Sequence, residues 1–222
     1  MFAQKTATSF SSYSLLAVPA FVFVGCAMNE IGFSDRIFGV AEKGIGHIPG
    51  GLGHANVLAS MIFAGMSGSA MADAGGLGAI EIKAMNDAGY DKGFSVAITA
   101  ASSGIGPIIP PSINLVVWGF LSGAATIELF MAGLLPGILM GLCLMAYIYI
   151  AVTRFHVQAP VTPRASFREF LRALWRGLPA LGAPAILLGG ISSGVFTSTE
   201  TGAVACAYII LLGVCYRRLS WG

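Results

Sequence analysis

Two groups of residues have types and spacing suited to chemistry: Ser67, Gly68 and Ser69 in one apolar run, and Ser103, Gly106, Pro107, Pro110 and Pro111 in another. Each combines hydroxyls with residues that interrupt a helix, because glycine is permissive in backbone conformation and proline removes an N–H and clashes with the preceding turn. The second run, Gly93 to Ile127, contains no Asp, Glu, Lys or Arg and reads as membrane-embedded. A helix broken there leaves carbonyls and amides that lipid cannot satisfy, so the break belongs where protein or a watery cavity can, the usual setting for a crossing ion or solute. Carbonyls that end helices near Gly65 and Ser103, with the serine hydroxyls, are hard oxygen ligands for a small cation. Helices that start after Ser69 and at Pro111 present positive dipole ends to an anion. Pro111, Ser112 and Asn114, with Ser69, are therefore the candidates to contact an anionic substrate.

Ser95, Thr99, Ser102 and Ser103 form a hydroxyl stripe before the break, and Ala64, Gly68, Ala72 and Gly76 a small-residue stripe that admits a close helix neighbour. The alternative for both stripes is tight packing without ligand contact. Asp73, four residues after Ser69, and Thr99 are candidates for a supporting shell, since an ionisable group at membrane depth is costly and suspect as functional. The segment Gly65-Met66-Ser67-Gly68 also fits the GxSG of rhomboid-type intramembrane serine proteases. That chemistry needs a histidine base on a neighbouring membrane helix, whereas His47, His54 and His156 fall at loops or membrane edges. No transition-metal ligand pattern and no P-loop occur, which argues against a zinc site and intrinsic ATP hydrolysis. The expectation is a protein that is not an enzyme and carries no cofactor.

Composition agrees. Of 222 residues 56% are hydrophobic and only 10% charged, with mean hydropathy +0.81, the profile of a polytopic all-α membrane protein. A net charge of +2 gives no reason to expect a nucleic-acid partner. Cys26, Cys143, Cys206 and Cys215 each lie in apolar runs and read as small core residues.

These residues need particular elements to position them. A scaffold helix leads into a re-entrant hairpin at about 50–86, whose descending arm, Leu52 to Met66, spans roughly 22 Å, short of the ~30 Å hydrocarbon core. A broken helix follows at about 92–121, its first half Gly93 to Ser103 only about 16 Å long, then a helix at 129–153. Both interruptions converge on one level. The 154–177 segment, with Arg154, Arg164, Arg168, Arg172 and Arg176, reads as a cytoplasmic linker and surface helix. Two more helices occupy 178–222, ending at Arg217 and Arg218. By the same rule Lys83 to Lys92 is cytoplasmic, with Ser122 to Glu128 and Glu200 outside.

The runs Leu15–Phe21, Gly50–Leu52, Asn56–Gly65, Ser67–Asp73, Ala88–Asp91, Gly106–Ser112, Leu129–Gly133 and Pro136–Gly137 resemble, in order, the large membrane subunit of tripartite ATP-independent periplasmic (TRAP) transporters. Gly194–Glu200 resembles that family's TPTE-type motif, with Ser198 where proline is usual. The resemblance implies an elevator-type importer of organic anions (dicarboxylates, sialic or other sugar acids, keto acids) in a bacterial inner membrane. It implies sodium as the coupling ion, a small membrane subunit and a periplasmic substrate-binding protein as partners, and a cation site lined by Ser67, Gly68, Ser69, Gly106, Pro107 and Pro111. It also implies a longer inverted-repeat protein, so that 1–153 is a first repeat, 178–222 begins a second, and half of the site lies beyond this chain. The competing expectations are an inactive fragment or a stand-alone channel.

Overall fold

The computed structural model describes residues 13–193 and 195–216, and all regular structure among them is helical. Arg217 and Arg218 lie outside the described residues. Helix α1 (Ala17–Ile31) ends where Gly32 takes a left-handed conformation, and α2 (Phe33–Ile45) leaves at 74°. No charge-free run marks α2 in the sequence. It is amphipathic instead, burying Phe33, Ser34, Ile37, Phe38 and Ala41 and stacking Arg36 over the rings of Phe33 and Tyr216.

Helix α3 (Gly51–Ser67) is the centre of the molecule. It packs against α1 and α2 and against four later helices, and buries every residue except Leu58, Met61 and Ile62. At Gly68 the chain turns back through a helical turn (Ala70–Ala72) and a π-helical turn (Asp73–Leu77) into α4 (Gly78–Asp87). Helix α5 (Lys92–Ser103) and α6 (Ile113–Ser122) are the halves of the broken helix. Because Gly68 ends α3, Ala64 and Ala72 lie on opposite arms of a hairpin, and the small-residue stripe expected along one helix does not exist. The close approach runs instead to α1: a Cβ at Gly25 would lie 3.0 Å from Ser67 Cβ, and one at Gly76 would strike Asn29.

Helix α7 (Thr126–Arg154), α8 (Phe167–Ser192) and α9 (Ser198–Cys215) are long and apolar enough to cross a membrane. α7 begins three residues before the expected 129, which puts Glu128 in its first turn. The arginines expected on a separate surface helix belong to α8, so the boundary at 177 falls inside one continuous element. A capping box of Ser166 and Glu169 starts that helix, and no breaker intervenes before the apolar part. Its 26 residues reach about 39 Å, more than the bilayer core requires. The surplus first turns pack along α2, with Phe170 Cε2 3.4 Å from a Cβ placed on Gly44, and Val40 against Gly177.

The cysteines also differ from expectation. Cys26, Cys143 and Cys215 are exposed, because an apolar run in a membrane protein does not distinguish a lipid-facing side from a core-facing one.

Candidate functional site

The tip of the hairpin is built from Ser67, Gly68 and Ser69. Gly68 adopts φ +57°, and a Cβ there would lie 3.0 Å from Ser112 Cα and against the Pro111 carbonyl. Only glycine makes this turn and this contact together. The Ser67 hydroxyl accepts from Ser69 N–H at 3.5 Å, and Ser69 caps the returning arm by accepting from Ala72 N–H at 3.5 Å.

The break is a compact turn between α5 and α6. Ser103 Oγ donates to the Thr99 carbonyl at 2.8 Å, and Gly106 N–H to the Ser103 carbonyl at 3.1 Å. Ser112 Oγ donates to the Pro107 carbonyl at 2.5 Å and accepts from Leu115 N–H at 3.3 Å, so it ties the break closed and caps α6. The Pro110–Pro111 peptide is cis.

Tip and break meet. Ile113 N–H donates to the Gly68 carbonyl at 3.4 Å, and a Cβ on Gly106 would sit 3.1–3.2 Å from the Ser69 carbonyl group and Ala70 N. Ser67, Gly68, Ser69, Ser103, Gly106, Pro107, Pro111 and Ser112 therefore form one continuous locus. Asn114 does not join it inward, being exposed on the first turn of α6.

Beneath the tip lies a polar layer that is only partly legible in the sequence. The stripe Ser95, Thr99, Ser102 and Ser103 is buried, and it faces α3 through Asn56 and Ser60. Asn56 Nδ2 donates to Thr99 Oγ1 at 2.7 Å, Ser102 Oγ donates to Asn56 Oδ1 at 2.7 Å, and Ser60 Oγ lies 3.2 Å from Ser102 Oγ. Asn56 and Ser60 are one turn apart on a mostly apolar helix; that spacing opposite a hydroxyl stripe is the signal that marks them. Asp73, 1% exposed, opens the π turn and faces Ser60 and Ser103. Among the described residues no cluster of three or more His, Cys, Asp or Glu forms. For a protease reading, His54 precedes Ser67 by three and a half turns of α3, about 20 Å, and Ser67 is engaged with Ser69 N–H.

The segment from Thr197 to Glu200 is a helix start. Glu200 Oε2 accepts from Thr197 N–H at 2.8 Å while Glu200 N–H donates to Thr197 Oγ1 at 3.3 Å, a capping box for α9.

Residues 1–222 match the family described as "Tripartite ATP-independent periplasmic transporter, DctM component". The chain is 46% identical over 219 residues to the sialic acid TRAP transporter permease protein SiaT of Haemophilus influenzae, covering 98% of this chain and 35% of that protein. It is 45% identical over 219 residues to the sialic acid TRAP transporter large permease protein SiaM of Vibrio cholerae, 98% of this chain and 51% of that one. With the 2,3-diketo-L-gulonate TRAP transporter large permease protein YiaN of Escherichia coli it shares 40% identity over 220 residues, 99% of this chain and 51% of that protein. The chain thus spans between a third and about half of the length of these relatives.

Proposed function

Because the chain belongs to the DctM component family of tripartite ATP-independent periplasmic transporters, and is thus a multi-pass protein of the bacterial inner membrane, we propose that it forms the hairpin and broken-helix unit of a sodium-coupled importer of organic anions. The observation that carries this reading is the closure of the Ser67–Ser69 tip on the Gly106–Ser112 break. It brings helix-end carbonyls and serine hydroxyls together at one depth, a set of hard oxygen donors suited to sodium. The role is transport rather than catalysis, with no cofactor beyond the coupling ion; relatives are named as permeases.

The substrate is a carboxylated organic anion. Relatives are named for sialic acid, 2,3-diketo-L-gulonate and C4-dicarboxylate, which share a carboxylate, and the N-terminus of α6 supplies the positive dipole end such a group seeks. Ser69 and Pro111 are the residues proposed to approach it. The partners are a small membrane subunit, a periplasmic substrate-binding protein and the further length that relatives of the large subunit possess. The exposed face of α7, with Leu135, Leu139 and Leu142, is proposed to meet lipid or the small subunit.

The experiment is thiol protection at the tip. Ala70→Cys, in a chain whose four native cysteines are replaced by alanine, places a half-buried thiol beside Gly106. Sodium is expected to slow its alkylation at least about tenfold relative to potassium or choline. Equal rates in the three salts would show that the tip closes without a cation.

A further inference from the structure

The interior between α3, α4 and α5 holds two carboxylates that the tip site does not use. Asp73 is 1% exposed and Glu81 0%, and among the described residues none of their four oxygens has a hydrogen-bond partner. They act on one another. Eight residues of α-helix would leave the two side chains about 80° apart around the axis. The wider π turn Asp73–Leu77 takes up an extra residue and closes most of that angle, so both acids share a face.

Hydroxyl oxygens line that face. Ser60 and Ser103 face Asp73, yet Ser103 Oγ donates to the Thr99 carbonyl at 2.8 Å and Ser60 Oγ to Ser102 Oγ at 3.2 Å. Thr99 accepts from Asn56 Nδ2 through Oγ1 at 2.7 Å and packs on the α4 backbone, its Cγ2 2.9 Å from a Cβ placed on Gly78. Buried carboxylates lined by hydroxyl oxygens are unfavourable in their charged form unless a proton or a cation joins them, and the oxygen lining suits a cation.

We infer that Asp73 and Glu81, with Ser60, Thr99 and Ser103, bind a second sodium ion beneath the tip, on the inner side of the hairpin. All the donors are oxygen, which selects a hard ion, and two carboxylates with neutral hydroxyls are a stronger anionic site than the tip, which has no charged side chain. The inference rests on the reading of this chain as a sodium-coupled permease, and the site shares only Ser103 with the tip and break, leaving Ser67, Ser69 and Gly106 to the other.

Equilibrium binding of radioactive sodium to the purified chain in lipid nanodiscs tests it. Glu81→Gln keeps the shape, removes the charge and lies more than two turns from Ser69. It is expected to raise the half-saturating sodium concentration of one binding component at least about tenfold, 1.4 kcal/mol or more, and to leave the other. Ser69→Ala is expected to weaken that other component alone. If Glu81→Gln binds sodium as the parent does, the acidic pair is not a sodium site, whatever Ser69→Ala shows; if only Ser69→Ala binds less, the tip stands without it. Should Glu81→Gln not fold, the rate at which dicyclohexylcarbodiimide modifies Glu81 in the parent chain decides. Sodium is expected to slow it at least about tenfold relative to choline, and modification unslowed by sodium, or absent in choline, overturns the site.

Discussion

Asn56 holds the contact between α3 and α5 through both ends of its amide, donating to Thr99 and accepting from Ser102. It is wholly buried, and its removal leaves two hydroxyls facing a hydrophobic gap. Asn56→Ala is expected to lower stability by about 1–3 kcal/mol, the cost of buried polar groups left without partners, read as a lower thermal unfolding midpoint in detergent. At this scale the tip and break residues are legible in the sequence, because glycine and proline interrupt a helix wherever they stand and a charge-free run sets that interruption at membrane depth. Asn56, Ser60 and Glu81 are not, because their importance comes from what faces them across a helix interface. Ser112 is legible as part of the break but not in its task, for the same reason: its hydroxyl is spent on Pro107 and Leu115.

Among the elements, α7 carries the close approach that the sequence suggests along the hairpin. Gly133, Gly137 and Gly141 follow at four-residue spacing, and Cβ atoms on them would strike the Ile108 carbonyl, Ile109 and Met61 respectively. This glycine stripe is the seat of the helix break, a small-xxx-small surface of the kind that lets membrane helices approach closely. Gly133→Ala places a methyl 2.6 Å from the Ile108 carbonyl oxygen, and a backbone group cannot swing away as a side-chain end can. The break must shift, at a cost of about 1–3 kcal/mol, and the sodium protection of Ala70→Cys is expected to weaken with it. Gly39→Ala, on α2 with nothing within 4 Å of the added Cβ, is the control; it is expected to be neutral or slightly stabilising, since alanine is the better helix former. The hairpin and broken helix are legible from charge-free runs with internal breakers. The path of α2 is not, because its amphipathic pattern lacks such a run, and the continuity of α8 is hidden by a change from basic to apolar residues that alters surroundings without altering the backbone.

For the whole molecule, the decisive question is which turns share a side of the membrane. The turn before the hairpin and the turn after it both meet the linker after α7: Thr162 Oγ1 donates to the Gly46 carbonyl at 2.6 Å, Asp91 N–H donates to the Gln158 carbonyl at 3.3 Å, and Pro160 lies 3.5 Å from a Cβ placed on Gly89. A chain that leaves from and returns to one linker fits one that has not crossed, and we propose that residues 51–87 are a re-entrant hairpin, in keeping with the 17 residues of α3 reaching only about 25 Å. The linker and the start of α8 carry Arg154, Arg164, Arg168, Arg172 and Arg176, and from this excess of arginine we propose that this side is cytoplasmic. Lys92→Cys and Arg164→Cys, placed singly in the cysteine-free chain, are therefore expected to resist a membrane-impermeant thiol reagent in intact cells and to react after lysis. Labelling of both in intact cells would invert the protein in the membrane. Labelling of one alone would contradict the hydrogen bond between Asp91 and Gln158, because the turn and the linker it joins cannot lie on opposite faces of the bilayer.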